Sequence, residues 1–277
     1  MPCLPLSRRS RLVYLLAVFL KRCRTRLGWA LGGVRFAASY EFRPLARRVR
    51  KHQSLLLRKL GESDMRLQYN KVRNLQLAVT RLNGIIIRPG ETFSFCRLVG
   101  KPTRRKGYLE GMELAHGEAR PGTGGGICQL SNLINWLVLH SPLTITERHH
   151  HGFDPFPDQG RVLPFGSGAT VFYNYVDYRF RNETARTFQL LFWVTDTRLE
   201  GELCVDAWLP ETHHVYEKAH AFVRKEGKLY RRNELWREVR KASGGVVLRD
   251  ELLYRNCAEV KYALPSGIPV VEEDVHD

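Results

Sequence analysis

The sequence predicts an α+β fold, with N-terminal helices, a cysteine-bearing helix after a glycine-rich turn, and then a largely antiparallel β-sheet. Three observations lead there. Val72, Leu75, Val79 and Leu82 recur at the three- and four-residue steps of a helix with one apolar face. Gly124, Gly125 and Gly126 stand directly before the apolar run from Cys128 to Leu139. From Thr144 onward, β-branched and aromatic residues gather in short runs separated by turn signals.

The chain has 277 residues, 43% of them hydrophobic, enough for a packed core in one large domain or two small ones. Composition divides it into a basic helical N-terminal segment (1–60), a core domain (61–200) and a β-rich C-terminal extension (201–277). Residues 35–60 carry Leu, Val and Phe at helical intervals, which predicts a helix entered near Pro44. The next helix runs from Asn70 to Leu82 and stops at Gly84. Ile85, Ile86 and Ile87 then form a short strand, ended by the Pro89-Gly90 turn. Phe93 and Phe95 alternate with Thr92 and Ser94 as in a half-buried strand. Glycines continue a helix poorly, so the third helix starts at about Cys128, and Pro142 follows its end. Strands are expected in TITERHHH (144–151), ATVFYNYVDYRFRN (169–182), TFQLLFWVTDT (187–197) and GELCVDAWL (201–209). Beyond Pro210 the pattern suggests a C-terminal antiparallel ribbon or sheet.

The net charge of +16 is uneven. Residues 1–60 hold fifteen Lys or Arg against one acidic residue, Glu41, so the rest of the chain is nearly neutral. A nucleic-acid reader would cluster its cations on the elements that touch the groove, and no motif of that kind appears. Nucleic acid is therefore not an expected partner. The apolar run LVYLLAVFL (12–20) is too short, at about 1.5 Å per residue, to cross a hydrocarbon core of about 30 Å. Arginines precede it as in a signal peptide, but KRCRTR follows with no small-residue cleavage site. The expected location is cytoplasmic, or peripheral at the inner membrane face. The basic N-terminus reads either as a helix lying on an anionic membrane surface or as a solvated arm packed on the body. Six irregularly spaced cysteines with no CxxC pair argue against both a disulfide framework and a structural zinc site.

Chemistry concentrates at PGTGGGICQLS (121–131). Three consecutive glycines are conformationally expensive, and folds keep them where backbone must approach closely or take a positive φ. Cys128 then falls in the first turn of a helix, where free N–H groups and the helix dipole favour an anion and lower a thiol's pKa. Preceding glycine amides suit an oxyanion. Glu147-Arg148-His149-His150-His151 offers a proton shuttle. On a strand His149 and His151 share a face and His150 points away. His151 is the preferred partner of Cys128, and Asp177 or Glu147 would orient the ring. The expected catalytic residues are thus Cys128, His151, His149 and Asp177. Gly124, Gly125, Gly126, Gln129 and Arg148 are assigned to substrate binding. No cofactor is expected, and a zinc site on Cys128, His149 and His151 lacks a recognisable fourth ligand. Two readings stay open: a thiol-dependent enzyme, or a non-catalytic protein that grips a peptide or carboxylate with the glycine turn.

PGETFSF (89–95), GY (107–108), GGGICQLS (124–131), ERHHH (147–151) and YVDYRFRN (175–182) together resemble the VanW family, named after an accessory protein of vancomycin B-type resistance clusters. The resemblance covers 70–182 strongly. It implies a cysteine-dependent acyl transferase, similar to an L,D-transpeptidase, or a peptidase, acting on peptidoglycan stem peptides or their precursors. Carried over by motif, the nucleophile is Cys128 and the histidine His151, with His149 at a more variable position. The family commonly has Gly-x-Asp-Ala-Thr where this chain reads GSGAT (166–170), so Gly168 replaces an aspartate.

Overall fold

Four α-helices, one 3-10 helix (Arg104–Lys106) and fifteen strands lie in the described part of the chain, which in the computed structural model comprises residues 11–58, 64–115, 118–150, 152–155, 157 and 162–273. In order they are α1 (Arg11–Leu31), β1 (Ser39–Tyr40), β2 (Arg47–Leu55), α2 (Met65–Leu82), β3 (Ile85–Ile87), β4 (Thr92–Ser94) and α3 (Phe95–Val99). The hairpin β5 (Glu110–Ala115) and β6 (Glu118–Thr123) leads into α4 (Cys128–Leu139), β7 (Thr144–Glu147), β8 (Phe153–Asp154) and β9 (Arg179–Arg181). The remaining strands are β10 (Phe188–Val194), β11 (Arg198–Val205), β12 (Glu211–Lys225), β13 (Lys228–Lys241), β14 (Val247–Val260) and β15 (Val270–Glu272).

Helix α2 begins where Asp64 caps it, its side chain accepting from Arg66 N at 2.8 Å. It buries Leu67, Leu75, Val79 and Leu82, and the chain turns at Gly84, whose φ of +84° favours glycine. The fully buried β3 follows and pairs with both β1 and β10. The five-stranded sheet runs β1-β3-β10-β11-β2, antiparallel at every pairing. Helix α2 packs on its β10 side and α4 on β2 and β11, and one core joins Leu75, Leu82, Ile85, Leu130, Leu137 and Phe192. A three-stranded sheet β4-β9-β7 and the hairpin β5-β6 flank this core. The C-terminal sheet, β15-β12-β13-β14-β8, is mostly one long meander. The fold is α+β.

Three segments differ from the sequence reading. As far as its residues are described, the helix expected over 35–60 is instead the short β1 and then β2, an edge strand whose alternate side chains face solvent. The strand expected over 169–182 is strand only at β9, and side chains of α4 take up the backbone N–H and C=O of Ala169 at its start. The strand expected over TITERHHH ends at Glu147. Strand β11, which spans residue 200, pairs with β2 in one sheet. Among the described residues no helix is long and apolar enough to cross a membrane.

Candidate functional site

The residues after Gly124 build the floor of a cavity of about 750 Å³. The turn is tight for a steric reason. A Cβ on Gly125 would lie 2.3 Å from the Gly111 carbonyl in β5, and one on Gly126 would lie 2.2 Å from Lys71 Cγ in α2. Gly126 also has a φ of +88°. Gly126→Ala is therefore expected to destabilise the fold by roughly 2 kcal/mol, through left-handed strain and displacement of the lysine stem. Urea unfolding checks this, and a loss under about 0.5 kcal/mol would mean the turn has slack.

Cys128 opens α4 and is half-buried on the cavity wall, with Sγ 3.8 Å from Val171 O. Burial pushes its thiol up, and the nearby Glu113 carboxylate adds to the shift. The direction is opposite to that expected of a helix N-terminus, because desolvation outweighs the backbone hydrogen bonds that lower it. Asn74 Nδ2 donates to Gly125 O and also to Leu109 O, both at 3.0 Å, tying the turn to α2. The amides of Gly124 and Gly125 donate to Leu109 O and Gly122 O, so neither points at a ligand.

Gln129 also lines the cavity, but its amide donates to Ser54 Oγ and Leu55 O at 2.8 Å each, joining α4 to β2. Arg148 stands away from the wall. Its guanidinium donates to the carbonyls of Gly168 and Gly166 and lies 3.8 Å over the Tyr254 ring, so it staples the loop after β8 to the C-terminal sheet. Ser131, Asn132 and Asn135 of α4 hold the same loop from the other side, through Ala169 O, Ala169 N and Ser167 O. A Cβ on Gly168 would meet Asn132 Oδ1 at 2.7 Å, so this packing disfavours any side chain at that position.

His149 is exposed beyond the end of β7, with Nε2 3.1 Å from Glu147 Oε1, and it does not line the cavity. Its partner is Glu147, whose Oε1 also accepts from the backbone N–H of Asp177 at 3.0 Å. Asp177 is fully buried, accepting from Ser94 Oγ, Cys96 N, Tyr178 N and Arg179 Nε. His151, the preferred histidine, lies outside the described residues. Among the described residues the imidazole on the cavity wall is that of His52 in β2, pushed down to about 4 by burial with Arg50 adding.

Sequence reasoning also missed Lys71 and Glu113. Lys71 is buried, donates to Gln68 Oε1 at 2.8 Å, and is held down to about 8 by burial with Arg58 adding. A signal was present: Lys71 interrupts the apolar stripe between Leu67 and Leu75 at four-residue spacing. Burial raises the Glu113 carboxyl, with Arg120 opposing. Arg22, Arg58, Lys71, Lys101 and Arg198 face the cavity, and Glu113 is the one carboxylate among its described lining residues. The site favours an anionic ligand. Among the described residues no group of three His, Cys, Asp or Glu could hold a metal ion.

Comparison with known proteins agrees with these motifs. A family model described as VanW like protein matches residues 70–204. The Vancomycin B-type resistance protein VanW of Enterococcus faecalis is 35% identical over 209 residues, 76% of each chain. The Uncharacterized protein YoaR of Bacillus subtilis is 37% identical over 119 residues, 41% of this chain and 37% of its own length. No solved structure matches. With that identity over three quarters of both sequences, and with the glycine–cysteine turn inside the matched region, the chain belongs to the VanW family.

Proposed function

We propose that the protein is a thiol-dependent acyl transferase, similar to an L,D-transpeptidase, or a peptidase, that acts on peptidoglycan stem peptides or their precursors with Cys128 as nucleophile. The observation that carries this reading is the position of Cys128: it heads α4 on the wall of a peptide-sized cavity whose cationic lining suits a carboxylate-bearing peptide. The relative's printed name, a vancomycin B-type resistance protein, directs attention to cell-wall peptides.

The thiol is held protonated by burial, so its proton must leave as sulfur attacks. In the proposed first step the S–H proton passes to a base, sulfur bonds to the substrate carbonyl carbon, and the amide C–N bond breaks. The departing amine takes a proton, and a thioester remains on Cys128. An acceptor amine or water then attacks the thioester and restores the thiol. His151, and His149 after it, remain the proposed base by motif. Neutral His52 is the alternative on the cavity wall. The oxyanion role falls to the amides of Gly126 and Cys128, since those of Gln129 and Leu130 already donate to Gly126 O and Ile127 O.

The raised thiol and the nearby Glu113 favour the second reading, a binding protein that holds a peptide without bond making. Incubation with a stem tetrapeptide, followed by mass spectrometry, separates the two. A thioester-sized mass increase is expected on Cys128, absent from Cys128→Ser and Cys128→Ala, with peptide affinity retained in both. No adduct, together with full resistance-associated function in both variants, would remove the covalent mechanism and leave binding.

A further inference from the structure

Helix α1 has two dissimilar faces. Its inner face grips the loop beside the cavity: Arg22 Nε donates to Tyr173 O at 3.0 Å, and Lys21 lies 5.8 Å over the Tyr175 ring. Arg22, Tyr173 and Tyr175 all line the cavity. The outer face is apolar and uncovered. Leu12, Leu15, Leu16, Phe19, Leu20 and Leu27 are each more than half exposed. At about 100° per residue they fall within an arc of roughly 140°. Exposed Arg24 borders that arc on one side, exposed Arg26 lies just within its other edge and also reaches Tyr173 Oη at 3.5 Å, and the helix carries five Lys or Arg with no acidic residue.

A monomer surface seldom leaves so many large side chains together in water. A protein partner could cover the arc, but the absence of any acid and the flanking arginines favour an anionic partner with an apolar interior. That combination is a bilayer surface carrying anionic headgroups, into which leucine and phenylalanine sink while arginine stays at headgroup level.

We propose that α1 docks the protein in the plane of an anionic membrane, with its outer face buried at the headgroup–acyl boundary. Because the opposite face of the same helix borders the cavity, docking holds the cavity wall of Arg22, Tyr173 and Tyr175 next to the headgroup layer. The docking does not depend on the acyl-transfer reading.

The test is co-sedimentation of the full chain with vesicles of phosphatidylglycerol and phosphatidylcholine, or of phosphatidylcholine alone. Binding to the anionic vesicles is expected, at least tenfold weaker on phosphatidylcholine and weaker as salt screens the arginines. Leu16→Glu/Phe19→Glu is expected to reduce binding at least tenfold with an unchanged unfolding midpoint. Arg24→Gln/Arg26→Gln is expected to reduce it by roughly fivefold per arginine, and only on anionic vesicles. Absence of binding by the unaltered chain, or equal binding by Leu16→Glu/Phe19→Glu, overturns the proposal. So does a dimer in size exclusion that this variant dissolves while vesicle binding is nil, since a second copy would then be the occupant.

Discussion

Asp177→Ala is expected to lose about 3–5 kcal/mol of stability, enough to unfold many domains of this size. The carboxylate has no exposed surface and is saturated. Oδ1 accepts from Cys96 N and Tyr178 N, each at 2.8 Å, and Oδ2 accepts from Ser94 Oγ at 2.5 Å and Arg179 Nε at 2.8 Å. Alanine would strand four donors, among them a guanidinium only 24% exposed that then leans on Glu147 alone. Buried donors without acceptors carry their full desolvation penalty. Asp177→Asn keeps the shape but turns an N–H₂ group toward donors, so it is expected to fall between alanine and the unaltered chain. Urea unfolding at pH 7 checks both. A change under about 1 kcal/mol, paired with a large fall in activity, would return Asp177 to a catalytic role and refute the clamp.

That clamp shows why a motif residue can be legible while its role is not. YVDYRFRN marks Asp177 as special in sequence, but its donors come from β4, α3 and β9, and no local pattern reveals that convergence. The cavity is similar. Cys128 and its glycines announce themselves within five residues, whereas Lys71, Glu113 and His52 reach the same wall from α2, β5 and β2.

The fold was most readable where one face is buried and the period is strong. Helices α2 and α4 follow from their apolar stripes, and β3 from three isoleucines before a Pro-Gly turn. Strand β2 misleads for a physical reason. It is a sheet edge built from RRVRKHQSL, and cations on an edge block pairing with other chains. Such a strand shows almost no alternation of apolar and polar residues, so its sparse Val and Leu pass for helical spacing. The opposite error arises at 169–182, whose aromatic and β-branched residues look like a strand. There Tyr173 and Tyr175 face the cavity and α1, while side chains of α4 bind the backbone N–H and C=O of Ala169 that a sheet would have paired.

Mild acid is expected to destabilise the protein well above the range where carboxylates titrate, with His140 as the principal cause. The ring is 3% exposed at the end of α4. Its Nδ1 lies 2.9 Å from Trp136 O and Nε2 lies 3.5 Å from Val215 N. Those partners require a neutral ring, with a proton on Nδ1 and a lone pair on Nε2. Protonating Nε2 would set N–H against N–H beneath the Trp136 ring, 4.6 Å away. Burial pushes this imidazole down to about 3, with Arg50, His214 and His52 adding and the Trp136 carbonyl opposing. In the unfolded chain a histidine titrates near 6.5. Between those values the unfolded state takes the extra proton, so the stability His140 contributes is whole above about pH 6.5 and is lost as pH falls toward 3. The slope is roughly 1.4 kcal/mol per pH unit for this one group. His52 and His213, each pushed down to about 4 mainly by burial, act in the same direction but are more exposed and weigh less. Urea midpoints at pH 7.5, 6.0 and 5.0 isolate the imidazoles, because ordinary carboxylates remain ionised through most of that window. His140→Gln, which does not titrate, is expected to flatten the slope between pH 6.5 and 5 while lowering stability at pH 7.5. An unchanged slope in that variant would show that His140 already carries its proton in the fold.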